Sequence, residues 1–215
     1  MASISLSDAA ALAEASYDIE RITSPRRLKS CPHRDVQAHV LEGNILLLPG
    51  SNTVRDYLKY NLRPLRLGEK RLRLRDGGKD KGASGTFWHQ GFLAYAKVVF
   101  DWLKEENIKP ETIIGHSLGA AAAQILSKSY ETPAIGFAAP RPKFVKGPVK
   151  NDKLCLIINR NDDIVPKLPS GFHHMGVTKL LAPPPQNFFS SHKMTSYKAT
   201  TKAAQKSGAL PHSWP

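Results

Sequence analysis

The chain reads as an α/β protein with a mostly parallel central sheet covered by helices on both faces. Short apolar runs of strand length alternate with segments of helical periodicity, and that alternation pairs strands through helical crossovers. The runs ending at Ile114 and spanning Leu154 to Ile158 are apolar in succession, as strands buried on both faces are. Ahead of the first of these runs, Gly91 to Glu106 sets Phe92, Tyr95, Ala96, Val99, Trp102 and Leu103 at helical spacing. With 215 residues, 41% hydrophobic and 23% charged, the chain suits one domain, spanning 1 to 215, with a sizeable core.

From the N-terminus, residues 6 to 20 read as a short helix with Ser7 as its N-cap and Leu6, Ala10, Leu12, Ala13 and Tyr17 on its apolar side. Val36 to Leu41 and Ile45 to Leu48 read as a hairpin closed by Glu42-Gly43-Asn44. Val54 to Leu62 has a helical pattern that Pro64 ends. Arg71 to Arg75 alternates leucine and arginine like a strand, and a flexible loop, Gly77 to Gly85, follows. After the helix at 91–106, Ala134 to Ala138 and Lys153 to Asn159 read as core strands and Pro183 to Pro185 as a loop. Residues 193 to 206 form a last helix, and Pro211 to Pro215 a tail.

The charge balance is uneven. The net charge is +13, and residues 53 to 82 hold ten Lys or Arg against four acids. Such an excess attracts polyanions, an anionic membrane surface or nucleic acid. Two cysteines far apart, Cys31 and Cys155, fit neither a disulfide framework nor a metal site, and Cys155 reads as a buried structural thiol. No cofactor or metal is expected. No stretch has the length of a membrane span, and Ala9 to Ala13 is too short for a secretory signal. The expectation is a soluble protein, cytoplasmic or exported by a non-Sec route.

Gly115-His116-Ser117-Leu118-Gly119 links the run ending at Ile114 to the small-residue stretch Ala120 to Leu126. A serine between two glycines where a strand turns into a helix has the form of a nucleophile elbow. The turn strains the serine and pushes its hydroxyl outward, and side chains at the glycines would collide with the neighbouring strand and helix. The pentapeptide arises by chance often enough that its strand-turn-helix context carries the argument.

A serine hydroxyl needs a histidine to take its proton and a carboxylate to orient that histidine, and in folds built on this elbow they follow in the order acid, then histidine. Asp162 and Asp163 come directly after a core strand, where a carboxylate lies on the ligand side of a parallel sheet. His173, His174, His192 and His212 all follow. His192, between a loop and a helix, is best placed to reach the elbow. For the oxyanion, Leu118 supplies a backbone N–H by position, and Pro49-Gly50-Ser51-Asn52 offers a second through Ser51.

Several separated motifs then line up, and the sequence resembles the class 3 lipase family, α/β-hydrolases that include the fungal triacylglycerol lipases. The resemblance rests on Leu48-Pro49-Gly50-Ser51 with Asp56-Tyr57-Leu58, on Trp88 to Phe92, on the elbow, on Gly136 to Pro142, and on Asp163 to Pro169 with Gly171 to Gly176. It implies a triad of Ser117, Asp163 and His192, an oxyanion hole from Ser51 and Leu118, and a lid within the basic insertion 53–88. The chain departs from the family at Pro49, where Arg is usual, at Ala120, where Gly is frequent, and in the compressed interval from Asp163 to His192.

The implied activity is hydrolysis of carboxylic esters of lipids, phospholipid included, through an acyl-enzyme, with peripheral contact to an anionic membrane surface. The alternative is a basic membrane- or nucleic-acid-binding module on an inactive hydrolase scaffold. Nucleic acid is the weaker partner, because the basic segment has few interleaved aromatics.

Overall fold

In a computed structural model of the protein, residues 3–50, 65–67, 70–72 and 78–215 are described. Seven strands lie side by side in chain order: β1 (Arg27–Ser30), β2 (His39–Leu41), β3 (Ile45–Leu48), β4 (Thr112–His116), β5 (Ala134–Phe137), β6 (Cys155–Arg160) and β7 (Val177–Leu181). From β3 to β7 every pairing is parallel, and β1 and β2 extend the sheet antiparallel at one edge. The hairpin between β2 and β3 turns on Gly43, whose φ of 74° favours glycine.

The helices among the described residues are α1 (Leu6–Ala15), α2 (Gln90–Glu105), α3 (Leu118–Tyr130), the single turn α4 (Phe188–Ser191) and α5 (Met194–Lys206). Alternate residues of each central strand face opposite sides and so build two cores. Leu46, Leu48, Ile113 and Ile157 join Phe92, Val99 and Leu103 of α2 and the four alanines Ala120 to Ala123 of α3 in one core. Leu47, Ile114, Leu156 and Ile158 join Leu6, Ala9 and Ala13 of α1 and Met194, Tyr197 and Ala204 of α5 in the other. The alanines let α3 lie close to the sheet with α2 stacked against it. Every apolar position read for α2 is buried.

Four readings of the sequence need correction. The first helix is capped by Ser5, whose hydroxyl accepts from the Asp8 N–H at 3.0 Å, and Ser7 instead bonds to Gln205. That helix stops at Ala15, and a separate turn, Ile19–Arg21, follows. The segment read as a flexible loop contains the strand Lys79–Lys81, paired antiparallel with Phe87–His89. The tail is pinned: Ser213–Trp214 pairs with Ile4–Ser5, and the Trp214 indole donates to the Leu154 carbonyl at 2.8 Å. For the tail the deciding partner is distant in the chain, and local composition is silent about it.

The proposed lid helix, Val54 to Leu62, lies outside the described residues, as does Arg73 to Arg75. Within the proposed insertion, Leu65–Leu67 pairs antiparallel with Lys70–Leu72. No helix among the described residues is long and apolar enough to cross a membrane. Cys155 is fully buried and not disulfide-bonded, and burial pushes its thiol pKa up.

Candidate active site

β4 ends at His116, and the chain reverses through Ser117 into α3. Ser117 has φ 54° and ψ −120°, a strained combination for a residue with a side chain. What holds the turn is close packing on both sides. A Cβ on Gly115 would come within 2.6 Å of the Gly119 carbonyl oxygen, and one on Gly119 would overlap the Leu48 carbonyl. The end of β3 therefore runs directly beside the serine, and a Cβ on Gly50 would lie 3.0 Å from that of Ser117.

The Ser117 Oγ is 2.9 Å from His192 Nε2, and His192 Nδ1 is 2.7 Å from Asp163 Oδ2. His192 follows α4, and Asp163 lies just past β6, so both meet Ser117 at the carboxyl edge of the sheet. The compressed interval from acid to histidine still spans the site. The Asp163 carboxylate is fully buried. One oxygen accepts the Val165 N–H at 3.0 Å, and the other accepts the Tyr197 hydroxyl at 2.9 Å. Tyr197 in turn accepts the Arg160 N–H at 3.1 Å. Burial, then the neighbouring carboxylate, holds the Tyr197 pKa well above its ordinary value, so it remains a donor.

Asp162 does a different job. It takes the buried Arg160 guanidinium in two hydrogen bonds, of 3.0 and 2.8 Å, and accepts the Gln186 N–H at 3.0 Å. These bonds hold its carboxyl below its ordinary pKa and fasten the loop that leads to His192. His174, an alternative base, is half-buried, and its Nε2 lies 3.1 Å from the Pro166 carbonyl, with Asn159 Nδ2 at 3.3 Å. Burial lowers its pKa to about 4. His212 is exposed near the C-terminus, where its carbonyl accepts the Leu6 N–H.

A second hydrogen-bonded chain passes behind the serine. His116 Nε2 is 3.1 Å from the His192 carbonyl, which can only accept, so Nε2 carries the proton. Nδ1 of the neutral ring then accepts from the Tyr17 hydroxyl, 2.5 Å away, and Tyr17 accepts the Gly50 N–H at 2.9 Å. Burial keeps His116 well below its ordinary pKa, with the neighbouring His192 ring adding to the effect. The backbone of the strand beside the serine and the backbone of His192 are thus joined by two side chains.

Leu118 stands at the first position of α3, where helix N–H groups lack intrahelical partners. Ser51 lies outside the described residues, although its neighbour Gly50 borders Ser117. Sequence reading missed Tyr17, His116 and Tyr197 as parts of the site. His116 was visible inside the Gly-x-Ser-x-Gly motif, but nothing local signals its partners.

Solved structures with the same arrangement of strands and helices settle the fold. The chain has an α/β-hydrolase fold. It is similar to the Lip2 lipase from Yarrowia lipolytica, at 15% identity and a TM-score of 0.56 over 80% of this chain and 77% of that one. Lipase II from Rhizopus niveus matches at 16% identity and a TM-score of 0.57, covering 81% and 79%. The Rhizomucor miehei lipase in its propeptide complex matches at 16% identity and a TM-score of 0.51, covering 93% and 81%. No protein-family model matches the chain, and no curated protein matches it in sequence.

Proposed function

We propose that the chain is a serine ester hydrolase of lipase type, with Ser117 as nucleophile, His192 as base and then acid, and Asp163 as the group that orients His192. The observation that carries this reading is the unbroken line from Ser117 Oγ to His192 to Asp163, at 2.9 and 2.7 Å, on a strained strand-to-helix turn. That the fold's neighbours are lipases agrees with it.

In the reaction, His192 Nε2 takes the Ser117 proton as Oγ attacks the ester carbonyl, and Asp163 stabilises the imidazolium. The alkoxide of the tetrahedral intermediate is met by the Leu118 N–H and, in the role the resemblance to class 3 lipases gives it, by Ser51. His192 then gives its proton to the departing alcohol, and water repeats the sequence on the acyl-enzyme. Lipid esters are the expected substrates, phospholipids among them, because the basic segment 53–82 favours an anionic surface.

Hydrolysis of p-nitrophenyl esters of graded acyl length tests the reading. The expected result is turnover that rises with acyl length and falls by about a millionfold in Ser117→Ala. A wild type inert at every length contradicts it.

A further inference from the structure

Among the large apolar side chains left exposed in the described residues, three stand together. Phe87 and Phe144 are each 37% exposed and Val145 is 43% exposed. The Phe144 N–H donates to the Phe87 carbonyl at 2.9 Å, and bridges from Trp88 to Lys143 and from Lys143 to His173 hold the segment as a ribbon. Beneath it, Phe172 is buried and meets the Phe144 ring edge-on at 5.5 Å. The rings are therefore displayed from a rigid base.

Cations surround them. Lys79 holds its ammonium 3.7 Å from the Phe144 ring centre and 5.7 Å from that of Phe87. Lys81 and Lys146 are also exposed. The one acid between the first two, Asp80, is turned onto the Lys81 N–H at 2.8 Å. Lys143 does not add to the display, because its amine is buried against the Gly147 carbonyl.

Phe87–His89 leads into the start of α2, and Phe144 lies in the segment that follows β5.

We propose that Phe87, Phe144 and Val145, with Lys79, Lys81 and Lys146, form a docking surface for an anionic lipid bilayer. Phenyl rings enter the headgroup zone while lysines reach the anionic groups around them. Val145 has no face on which a base can stack, which favours lipid over nucleic acid. A net charge of +13, concentrated in the sequence that runs into Lys79 and Lys81, supplies the attraction. The purpose of the surface, to bring ester bonds to Ser117, rests on the hydrolase reading; the binding itself does not.

Co-sedimentation of the full chain with vesicles tests the surface. Vesicles of phosphatidylcholine with phosphatidylglycerol should bind it at least tenfold more tightly than phosphatidylcholine alone, and salt should weaken the binding. Phe144→Asp with Val145→Asp should lower the partition coefficient at least tenfold, and Lys79→Gln with Lys146→Gln by about fivefold for each lysine. Thermal melts check that the variants fold; Phe144→Ser serves if the aspartates do not. Binding that ignores these substitutions, that is equal on both vesicles, or that DNA captures with the same dependence on Phe144, overturns the proposal. Ser117→Ala separates the two readings: it should bind vesicles as the wild type does. A wild type that binds through the patch but cleaves no ester defeats the hydrolase reading alone.

Discussion

Each residue of the candidate triad is flagged by its own neighbourhood: Ser117 by two glycines, Asp163 by the end of a core strand, His192 by a loop-to-helix junction. That made them legible. Tyr17 and Tyr197 carry no such flag, because each acts across the fold, on His116 and Asp163, and distance along the chain hides such pairs. Removing either hydroxyl tests what it does. Tyr197→Phe leaves a buried carboxylate short of one donor, and stability should fall by about 1–3 kcal/mol on a denaturant curve. Tyr17→Phe cuts the link between Gly50 and His116, so kcat on a soluble ester should fall about tenfold while KM changes little. An unchanged kcat in Tyr17→Phe removes that link from the account.

Elements with an amphipathic period were readable from sequence because burial of one face decides them, and α2 is the clearest case. Edge strands were not. β7 is mostly exposed, and β1 is four residues of mixed character, so neither has a pattern to read. Both exist because a neighbouring strand offers backbone partners. The contact between β3 and α3 is the most demanding element-level feature, since the Gly119 Cα sits against the Leu48 carbonyl. Gly119→Ala should destabilise the fold by about 3 kcal/mol or push β3 away from the serine. Either outcome appears as a lowered melting temperature with lost activity, and a fully stable, active Gly119→Ala contradicts the packing argument.

At the scale of the molecule, the parallel sheet with two covered faces followed from the alternation of strands and helices, whereas pinning of both termini and of the Lys79–His89 hairpin did not. Three histidines also set a property of the whole. Burial lowers His39 and His174 from 6.5 to about 4 and takes His116 well below 6.5. Below pH 6.5 the unfolded chain binds protons that the native chain excludes, so stability falls as pH drops toward 4 and gains nothing from these groups above 6.5. Melting temperatures between pH 7 and pH 4 should decline accordingly, and a flat profile would show these rings to be freely protonated in the native state. In the proposed hydrolase, the strained serine on this fold is a nucleophile driven by His192. Reaction with a fluorophosphonate, followed by mass-spectrometric location of the adduct, tests it most directly. A single adduct on Ser117 is expected, formed by the wild type and lost in His192→Ala, and an adduct on any other serine, or none, would overturn the proposed mechanism.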